Sequence, residues 1–438
     1  MFGSNPNTIP LATKWELSFQ VNHYKVPVFP IIAREKLAAV LTYGQTVKRT
    51  YSSDGIAGDM GGNGSYVTTA AVNTEESLTI NTKKYFATQW PSWEKLLWHL
   101  ENDAQYREKA IRRLINQTDA DILAATAAGA LNTMDNGNFG GTSGQGFVPT
   151  NGNVFQAFGT ANELLRLANT DYPNNVPYTG NVKIDMKRKM KVAVVDPHTA
   201  NLLEQYLGTK NSKLGDDVSN EGFVQMFNGF NVFTSNNLPF VFSITQVNSG
   251  TFTNNDTFVI GGVTLTAVNS IGSTAGNFLI TGTWATDAAA LATSLAAPFT
   301  TTSTFVALTA TQINTTAKAL IWGLPGGQGG TNLTAAYANS ALTITVTGVT
   351  KISVSTTSTT VQIPTNMQYT QTIFCISKCI DLVMKRSPSA EWNPVSGQIA
   401  KDLVVWNLYD KKVFHDQAPM IVACNINTSG VTAPTQVF

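Results

Sequence analysis

The sequence predicts an α+β protein whose host domain is interrupted by an inserted, mostly β domain. Three observations carry this prediction. Residues 242–364 are rich in Thr, Ser, Asn, Ala and Gly, and their ionised side chains are Asp256, Asp287, Lys318 and Lys351. A long amphipathic helix pattern precedes this stretch, and strand patterns lie on both sides of it. Such a change of composition is typical of a module placed within a surface loop of another domain.

The order of these patterns divides the chain into five parts. They are an N-terminal arm over 1–32, a short helix and an extended hairpin loop over 33–92, a region with the long helix over 93–190, a domain formed by 191–241 with 365–438, and the insert over 242–364.

Bulk composition narrows the class of function. The chain has 438 residues, a net charge of +1 and only 13% charged residues, which argues against a dedicated nucleic-acid binder. We predict no signal peptide and no membrane-spanning run, and therefore expect a soluble protein that is made in a cytoplasm and has no membrane partner. Cys375 and Cys379 are four residues apart and could face each other on a helix as buried, reduced thiols.

Strand and turn patterns predict a protruding hairpin in the second part of the chain. A short helix over 33–42 is followed by strands over 45–52 and 65–90, which a glycine-rich tip joins. Because an isolated two-stranded hairpin is marginal in water, we expect it to rest on another subunit. Four basic residues are candidates for this intersubunit contact: Lys48, Arg49, Lys83 and Lys84.

The long helix begins after Ser92, its candidate N-cap, and apolar residues then recur at three- and four-residue steps as far as Ala125. The opposite face carries a basic cluster, namely Arg107, Lys109, Arg112 and Arg113. Its charge pattern favours a solvated helix face that pairs with neighbouring acidic residues such as Glu108. Contact with nucleic acid inside a particle is the alternative.

The remaining host segments read as alternating helices and strands. A helix is expected over 154–169, a buried strand over 191–195, and a further helix that Asp196 caps, with Pro197 at its first position. Near the C-terminus, strands over 401–409 and 412–425 flank a predicted turn at Asp410 and Lys411.

The insert reads as a small, mostly antiparallel sheet with one short helix. Its predicted elements are a hairpin over 257–269, strands over 277–283, 341–347 and 351–355, and a helix over 286–296.

The motif search finds no catalytic, cofactor-binding or metal-binding residues. The four histidines, His23, His99, His198 and His415, never occur at metal-ligand spacing, and no nucleophile motif accompanies them. The glycine-rich stretch 323–330 lacks the Lys-Ser/Thr pair of a phosphate-binding loop. We therefore expect a structural protein without a cofactor, not an enzyme.

Four segments, in their order along the chain, resemble the major capsid proteins of tailed bacteriophages. They are VFPIIAREKL at 28–37, the strand over 79–90 that leads into the long helix, DADIL at 119–123, and GFNVFTSNNLP at 229–239. The last is similar to an axial-domain strand of that family. The resemblance covers residues 20–240 and 365–425, and the insert lies outside it.

This resemblance implies the capsid fold, in which 93–190 holds the spine helix and peripheral domain and 191–241 with 365–438 the axial domain. It implies a shell of hexamers and pentamers around double-stranded DNA, which is bound non-specifically. It also implies a virion capsid assembled in the cytoplasm of a host bacterium, with scaffolding, portal and decoration proteins as further partners. Some relatives crosslink a hairpin lysine to a neighbouring asparagine, but no partner residue can be matched here, and we assign no crosslink.

Two alternatives stay open at this point. A bacterial nanocompartment shell would share the fold and hold a protein cargo, although the Thr-rich insert and long hairpin favour the virus. An appendage or adhesion protein would suit the β-rich insert but would leave the long helix unexplained.

Overall fold

The computed structural model describes the chain in separate ranges. These are 26–35, 46–52, 72–91, 103–141, 146–168, 170, 189–210, 226–246, 253–260, 263–269, 277–280, 287, 290, 306–307, 319–324, 333–338, 344–347, 352–353, 359–363, 369–394 and 400–427.

The helices and strands are numbered here in chain order. The α-helices are α1 Phe29–Ile32, α2 Asp103–Ala128, α3 Val154–Leu167 and α4 Pro197–Gly208, and the 3-10 turns are Asn136–Phe139 and Ala418–Met420. The strands are β1 Ala33–Arg34, β2 Thr46–Ser52, β3 Asn73–Thr79, β4 Thr82–Pro91, β5 Asn132–Met134, β6 Lys191–Val195, β7 Met226–Phe227, β8 Phe230–Thr234, β9 Phe240–Gln246, β10 Thr257–Ile260, β11 Val263–Val268, β12 Asn277–Leu279, β13 Val306–Ala307, β14 Ala319–Leu324, β15 Leu333–Ala338, β16 Ile344–Thr347, β17 Ile352–Ser353, β18 Thr359–Ile363, β19 Tyr369–Ile376, β20 Ile380–Pro394, β21 Ala400–Lys412 and β22 Ile421–Asn427. The predicted α+β class is confirmed.

The largest sheet of the described residues is built around β19, which pairs antiparallel with β6 and β22. Successive side chains of β19 point to opposite faces, as in any strand. On one face, Phe374 packs under α3 and α4 against Phe158 and Leu203. On the other face, Ile373 packs against Ile122 of α2. The sheet is therefore the middle layer of a three-layer core.

A second sheet has four strands in the order β1, β20, β21, β4. Leu403 and Val405 of β21 pack against Ala110 and Leu114 in the N-terminal half of α2. The C-terminal half of the same helix covers the larger sheet. With 26 residues, α2 is about 39 Å long at 1.5 Å per residue. One helix thus joins the two sheets, which agrees with the predicted spine. Its predicted start at Ser92 lies outside the described residues.

The predicted hairpin exists, but its second strand is shorter than expected. β2 and β3 pair antiparallel from Thr46 with Thr79 to Ser52 with Asn73. The predicted run over 65–90 is divided at Ile80 and Asn81, since β4 leaves the hairpin and pairs with β21. The Asn81 N–H donates to Asp410 Oδ2 at 3.1 Å, which fixes this change of sheet.

The insert contributes strands to two sheets. β10, β11, β12, β15 and β18 form a five-stranded sheet made only of residues 257–363, and the predicted hairpin within 257–269 is confirmed. However, β16 and β17, which were expected to complete this sheet, instead extend the largest sheet through β9. The strand β9 pairs with β14 and with β16 over overlapping residues, so it joins strands of the insert on both of its edges. Asp287 and Ala290 are helical, and the rest of the predicted 286–296 helix lies outside the described residues.

Two local predictions were wrong, and one strand was missed. The short helix expected over 33–42 is not present at its start, because Ala33 and Arg34 form β1, which pairs in parallel with Ile380 and Asp381. The turn expected at Asp410 and Lys411 is absent, since both residues continue β21. The long strand β20 was not anticipated.

The cysteine prediction was correct in burial and wrong in secondary structure. Cys375 is the penultimate residue of β19 and Cys379 follows a two-residue turn, so the pair does not share a helix. Both thiols are buried and free, as is Cys424.

Two local signals were read correctly. Asp196 caps α4, with its carboxylate accepting from the Thr199 N–H at 3.0 Å, and Pro197 occupies the first turn. The Asn228-Gly229 pair between β7 and β8 has φ values of 47° and 81°, so a left-handed two-residue turn opens the segment 229–239.

Candidate functional site

Asp119 is the point at which three distant segments of the chain meet. This carboxylate is fully buried in α2. Its Oδ1 accepts from the backbone N–H groups of Val28 at 2.9 Å and Phe29 at 2.8 Å. Its Oδ2 accepts from the amide nitrogen of Asn237 at 2.7 Å. Three of the four segments that carry the sequence resemblance, 28–37, 119–123 and 229–239, are therefore joined on one side chain.

The local geometry explains why a carboxylate stands here. Helix α1 starts at Phe29, and its N-cap residue is Val28. The Val28 side chain has no polar atom that could accept a hydrogen bond from the first N–H groups of the helix. Asp119 supplies the missing acceptor from another helix. The neighbouring Ile122 and Leu123 are buried against Ile32, so apolar packing holds the two helices at this distance.

A second buried carboxylate, Asp121, ties α2 to the four-stranded sheet. Its Oδ2 accepts the Tyr409 hydroxyl at 2.6 Å and lies 3.7 Å from the Lys84 ammonium, and its Oδ1 accepts from Gln117 at 3.0 Å. Burial lowers the pKa of Lys84, while the nearby Asp121 charge acts in the opposite direction. Lys84 thus serves an internal joint of this chain.

Asp381 is the third fully buried carboxylate at a joint, and it binds two arginines. Arg34 approaches it with Nε at 2.6 Å and a terminal nitrogen at 2.8 Å, and Arg49 with a terminal nitrogen at 3.2 Å. The amide of Gln417 donates to Asp381 Oδ1 at 2.9 Å. Arg49 also pairs with Asp416 at 2.7 Å. Hydrogen bonding to Asp381 raises the pKa of Arg34, which keeps that guanidinium charged.

One face of the hairpin rests on its own chain, a contact that the sequence did not predict. Val47, Leu78 and Ile80 form a buried cluster with Val383 and Phe414. The Tyr51 and His415 rings stack with centroids 4.4 Å apart. The opposite face is solvated, since Lys48, Thr50, Ser52 and Asn73 are all exposed. The described part of the hairpin is therefore packed on one face and open to solvent on the other, and its contact with another subunit stays a prediction.

The four candidate intersubunit residues have different surroundings. Lys48 lies on the hairpin, is exposed, and pairs with Glu75 at 3.0 Å. Arg49 lies at the hairpin base and binds Asp381 and Asp416. Lys83 and Lys84 lie on β4, outside the hairpin, with Lys83 exposed. Of the four, Lys48 and Lys83 present their side chains to solvent.

The four basic residues predicted on the long helix all lie on α2. Arg107, Arg112 and Arg113 are exposed, and Lys109 is partly buried. Arg112 pairs with Glu108 at 2.7 Å, as the solvated-face reading expects. The Arg113 guanidinium lies 5.7 Å from the centre of the Phe86 ring. Three exposed arginines, called the arginine group below, thus lie near the start of α2. At 3.6 residues per turn their side chains leave the helix in directions more than about 90° apart, so they do not form one face.

The described residues contain neither a metal-binding cluster nor a membrane-spanning helix. Within the described ranges, no group of three or more His, Cys, Asp or Glu side chains has metal-binding geometry. No α-helix in the part of the chain that the structure describes is both long and apolar enough to cross a membrane.

Tyr409 gives a prediction for alkaline pH. Burial, followed by the Asp121 charge, raises the pKa of its hydroxyl well above the ordinary value of 10.0. Above pH 10 the unfolded chain therefore loses this proton while the folded chain keeps it, so stability falls as pH rises. In Tyr409→Phe, we expect the free energy of unfolding to fall less steeply above pH 10, by up to about 1.4 kcal/mol per pH unit.

The measurement is urea unfolding of both proteins at a series of pH values from 8 to 11. The difference between the two curves is the readout, because other titrating groups contribute equally to both. Parallel curves throughout this range would contradict the prediction.

Sequence reasoning noticed the Asp119 segment but missed Asp381, Asp416 and Gln417. Arg34 and Asp381 are 347 positions apart, and no spacing pattern connects residues at such a separation. The available signal was indirect: an isolated acidic residue, Asp381, stands within the otherwise apolar run IDLVM. A lone charge in a buried strand needs a partner, because burying it unpaired is costly.

Comparisons with known proteins give matches only at the level of structure. No protein-family model matches the chain, and no curated protein matches it either. Among solved structures, "Mycobacterium phage Che8" matches with a TM-score of 0.49 and 12% identity, covering 96% of this chain and 98% of that one. "Capsid structure of the Cyanophage P-SCSP1u" matches with a TM-score of 0.47 and 9% identity, covering 96% and 94%.

"Cyanophage Pam1 capsid asymmetric unit" matches with a TM-score of 0.47 and 8% identity, covering 98% of this chain and 100% of that one. Over nearly its whole length, the chain is thus similar to these phage structures, two of which are titled as capsids.

Proposed function

We propose that this chain is the structural major capsid protein of a tailed bacteriophage. It associates with itself as hexamers and pentamers in an icosahedral shell around double-stranded DNA. On this proposal it has no catalytic role, it assembles in the cytoplasm of a host bacterium, and it ends up in the virion capsid. Scaffolding, portal and decoration proteins are its further partners.

The observation that carries this proposal is the joint at Asp119. The resemblance to capsid proteins was drawn from segments in one linear order, and that order alone places no requirement on their positions in space. Hydrogen bonds of 2.7–2.9 Å nevertheless join 28–37 and 229–239 to 119–123 on one buried carboxylate. Segments that carry a family pattern by accident would have no reason to meet.

The hairpin supports a protein that associates with copies of itself. Its described part is a two-stranded ribbon: Arg49 and a small apolar cluster hold one face, and the other face has exposed side chains. Such a ribbon has no core of its own. A neighbouring subunit is the surface that would complete it, and Lys48 is the exposed cation best placed for that contact.

The arginine group of α2 supports contact with packaged DNA. Arg107, Arg112 and Arg113 are exposed within about two turns of one helix. Phosphate contacts made by such residues are independent of base sequence and weaken as salt rises. We assign this arginine group to the inner surface of the shell.

The insert is proposed as an outward-facing module on the axial domain. Its five-stranded sheet contains no host strand among the described residues. The connection of β9 to the host strand β19 consists of the pair Phe240 and Thr370, with a bond of 3.0 Å from the Gln371 N–H to the Pro239 carbonyl. The insert strands β13 and β14 also contact the long helix α2, so the module is seated on the host as well as joined to it.

Electron microscopy of particles formed by the purified chain tests the proposal. Closed angular shells with knobs at the capsomers, containing nucleic acid, are the expected result. Shells that hold a protein cargo would support the nanocompartment alternative. Filaments, or a monodisperse monomer under all assembly conditions, would contradict the shell proposal and support the appendage alternative.

The DNA-facing role has its own variant. The change R107Q/R112Q/R113Q is expected to leave shells intact while lowering their nucleic-acid content and flattening its salt dependence, because three phosphate contacts are lost. The matched control, R166Q/K210Q/K378Q, removes three exposed charges elsewhere on the described surface. Equal nucleic-acid content in both variants would show that Arg107, Arg112 and Arg113 do not contact the DNA.

A further inference from the structure

Two segments near the N-terminus, each more than 300 positions from Asp381, share its carboxylate. Arg34 follows helix α1 and uses both oxygens of Asp381, whereas Arg49, at the hairpin base, uses Oδ2 alone. The two arginine side chains are each 29% exposed, and Asp381 is inaccessible to solvent. Because Asp381 is buried and both arginines are partly exposed, we take the carboxylate as the fixed partner to which the two arginines bind.

The surface on which the hairpin rests depends on the same carboxylate. Gln417 donates its amide N–H to Asp381 Oδ1 and accepts the Phe414 N–H at 3.0 Å, which shapes the loop between β21 and β22. That loop presents Phe414 under the Arg49 guanidinium at 4.5 Å and the His415 ring to Tyr51. Asp381 thus organises both the hairpin's ionic contact and the loop that the hairpin packs against.

Arg34 is the residue that fixes the orientation of this carboxylate. Its two bonds form the bidentate arrangement that determines the plane of a carboxylate as well as its position. Arg49 and Gln417 each make a single bond to an oxygen that Arg34 already holds. Loss of Arg34 would therefore leave a buried carboxylate free to turn away from the two weaker partners.

We propose that Asp381 couples the segment following the N-terminal arm to the hairpin, with Arg34 acting as a positioning residue for a hairpin that it does not touch in the described contacts. Release of Arg34 loosens the hairpin base, and release of Arg49 removes the ionic one of the two routes through which Arg34 acts, the other being the loop that Gln417 holds. This coupling is a property of the single chain and does not depend on the shell proposal.

Hydrogen exchange on the full-length, unassembled chain tests the coupling. In Arg34→Gln, backbone amides of β2 and β3 are expected to exchange about tenfold faster, a size typical of residues that share one ion-pair network. The strand β6 serves as an internal reference, because its exchange reports global unfolding. Arg386→Gln is the matched control, since Arg386 pairs with Glu391 on the same four-stranded sheet and away from the hairpin.

The double variant R34Q/R49Q distinguishes coupling from simple destabilisation. If Arg34 acts through Asp381, R34Q speeds hairpin exchange by a smaller factor in the R49Q background than alone, because only the route through the Gln417 loop remains. Unchanged hairpin exchange in R34Q, or equal effects of R34Q with and without R49Q, would overturn the proposal. Faster exchange in β6 by the same factor would overturn it as well, because the effect would then be global. Shell formation has no part in this readout, so failure of the shell proposal would be seen separately.

Discussion

Replacing Asp119 by alanine is expected to lower the free energy of unfolding by about 3–5 kcal/mol, the range found when a buried, hydrogen-bonded charge site is broken. The substitution leaves the N–H groups of Val28 and Phe29 and the amide of Asn237 without their acceptor. Each buried donor that loses its partner costs about 1–3 kcal/mol. Denaturant unfolding of the unassembled chain measures the loss.

Asp119→Asn separates hydrogen bonding from charge. The asparagine oxygen can still accept from Val28 and Phe29, but its NH₂ would face the amide nitrogen of Asn237. A flip of Asn237 resolves this conflict by presenting its Oδ1, which has no hydrogen-bond partner in the described structure. We therefore expect a loss of about 1–2 kcal/mol, smaller than that of the alanine variant.

Glu108→Gln is the control on the same helix. Glu108 forms an exposed pair with Arg112, and exposed pairs contribute about 0–1 kcal/mol. A D119A variant no less stable than E108Q would show that Asp119 does not join the three segments.

Phe158→Ala is expected to cost about 3–5 kcal/mol, as large-to-small changes of fully buried aromatic residues do. Phe158 lies on α3, is inaccessible to solvent, and makes edge contacts with Phe227, Phe230 and Phe374 at centroid distances of 5.1–6.2 Å. Its removal opens a cavity between α3 and the central sheet, where rigid strands cannot collapse to fill the space.

Phe155→Ala is the matched control for this cavity. Phe155 lies one turn earlier on α3, is 37% exposed, and stacks on Tyr206. Its loss should cost about 1 kcal/mol or less, because little apolar area leaves the core. Equal losses in the two variants, measured by the same denaturant titration, would contradict the layered arrangement around β19.

The features that the sequence predicted correctly depend on neighbouring residues. Helix α3 was expected over 154–169 and spans Val154–Leu167, since its apolar residues recur with a helical period. The start of α4 follows from the Asp196-Pro197 pair. The Asp196 side chain accepts a hydrogen bond from a backbone N–H of the first turn, and the Pro197 ring holds a φ angle that suits a helix. The hairpin of β10 and β11 follows from alternation around two glycines.

The candidate site was predicted only in part. The segment with Asp119 and the basic residues of α2 were singled out from the sequence, because they lie in segments with a recognisable pattern. The role of Asp381 was not predicted, and Lys84 was assigned to the hairpin although it lies beside Asp121. Both depend on which strand pairs with which, and pairing partners here are hundreds of residues apart.

Local sequence patterns thus predicted the α+β class, the long helix and the hairpin of β2 and β3, while the bounds 242–364 of the insert stay a prediction. These features rest on periodicity, caps and composition, which act between residues a few positions apart. Only the tertiary structure decided that the run over 65–90 serves two sheets, that 380–394 is a strand, and that the hairpin base rests on Asp381. Strand pairing and the burial of a carboxylate are fixed by partners that the fold brings together, so no local pattern contains them.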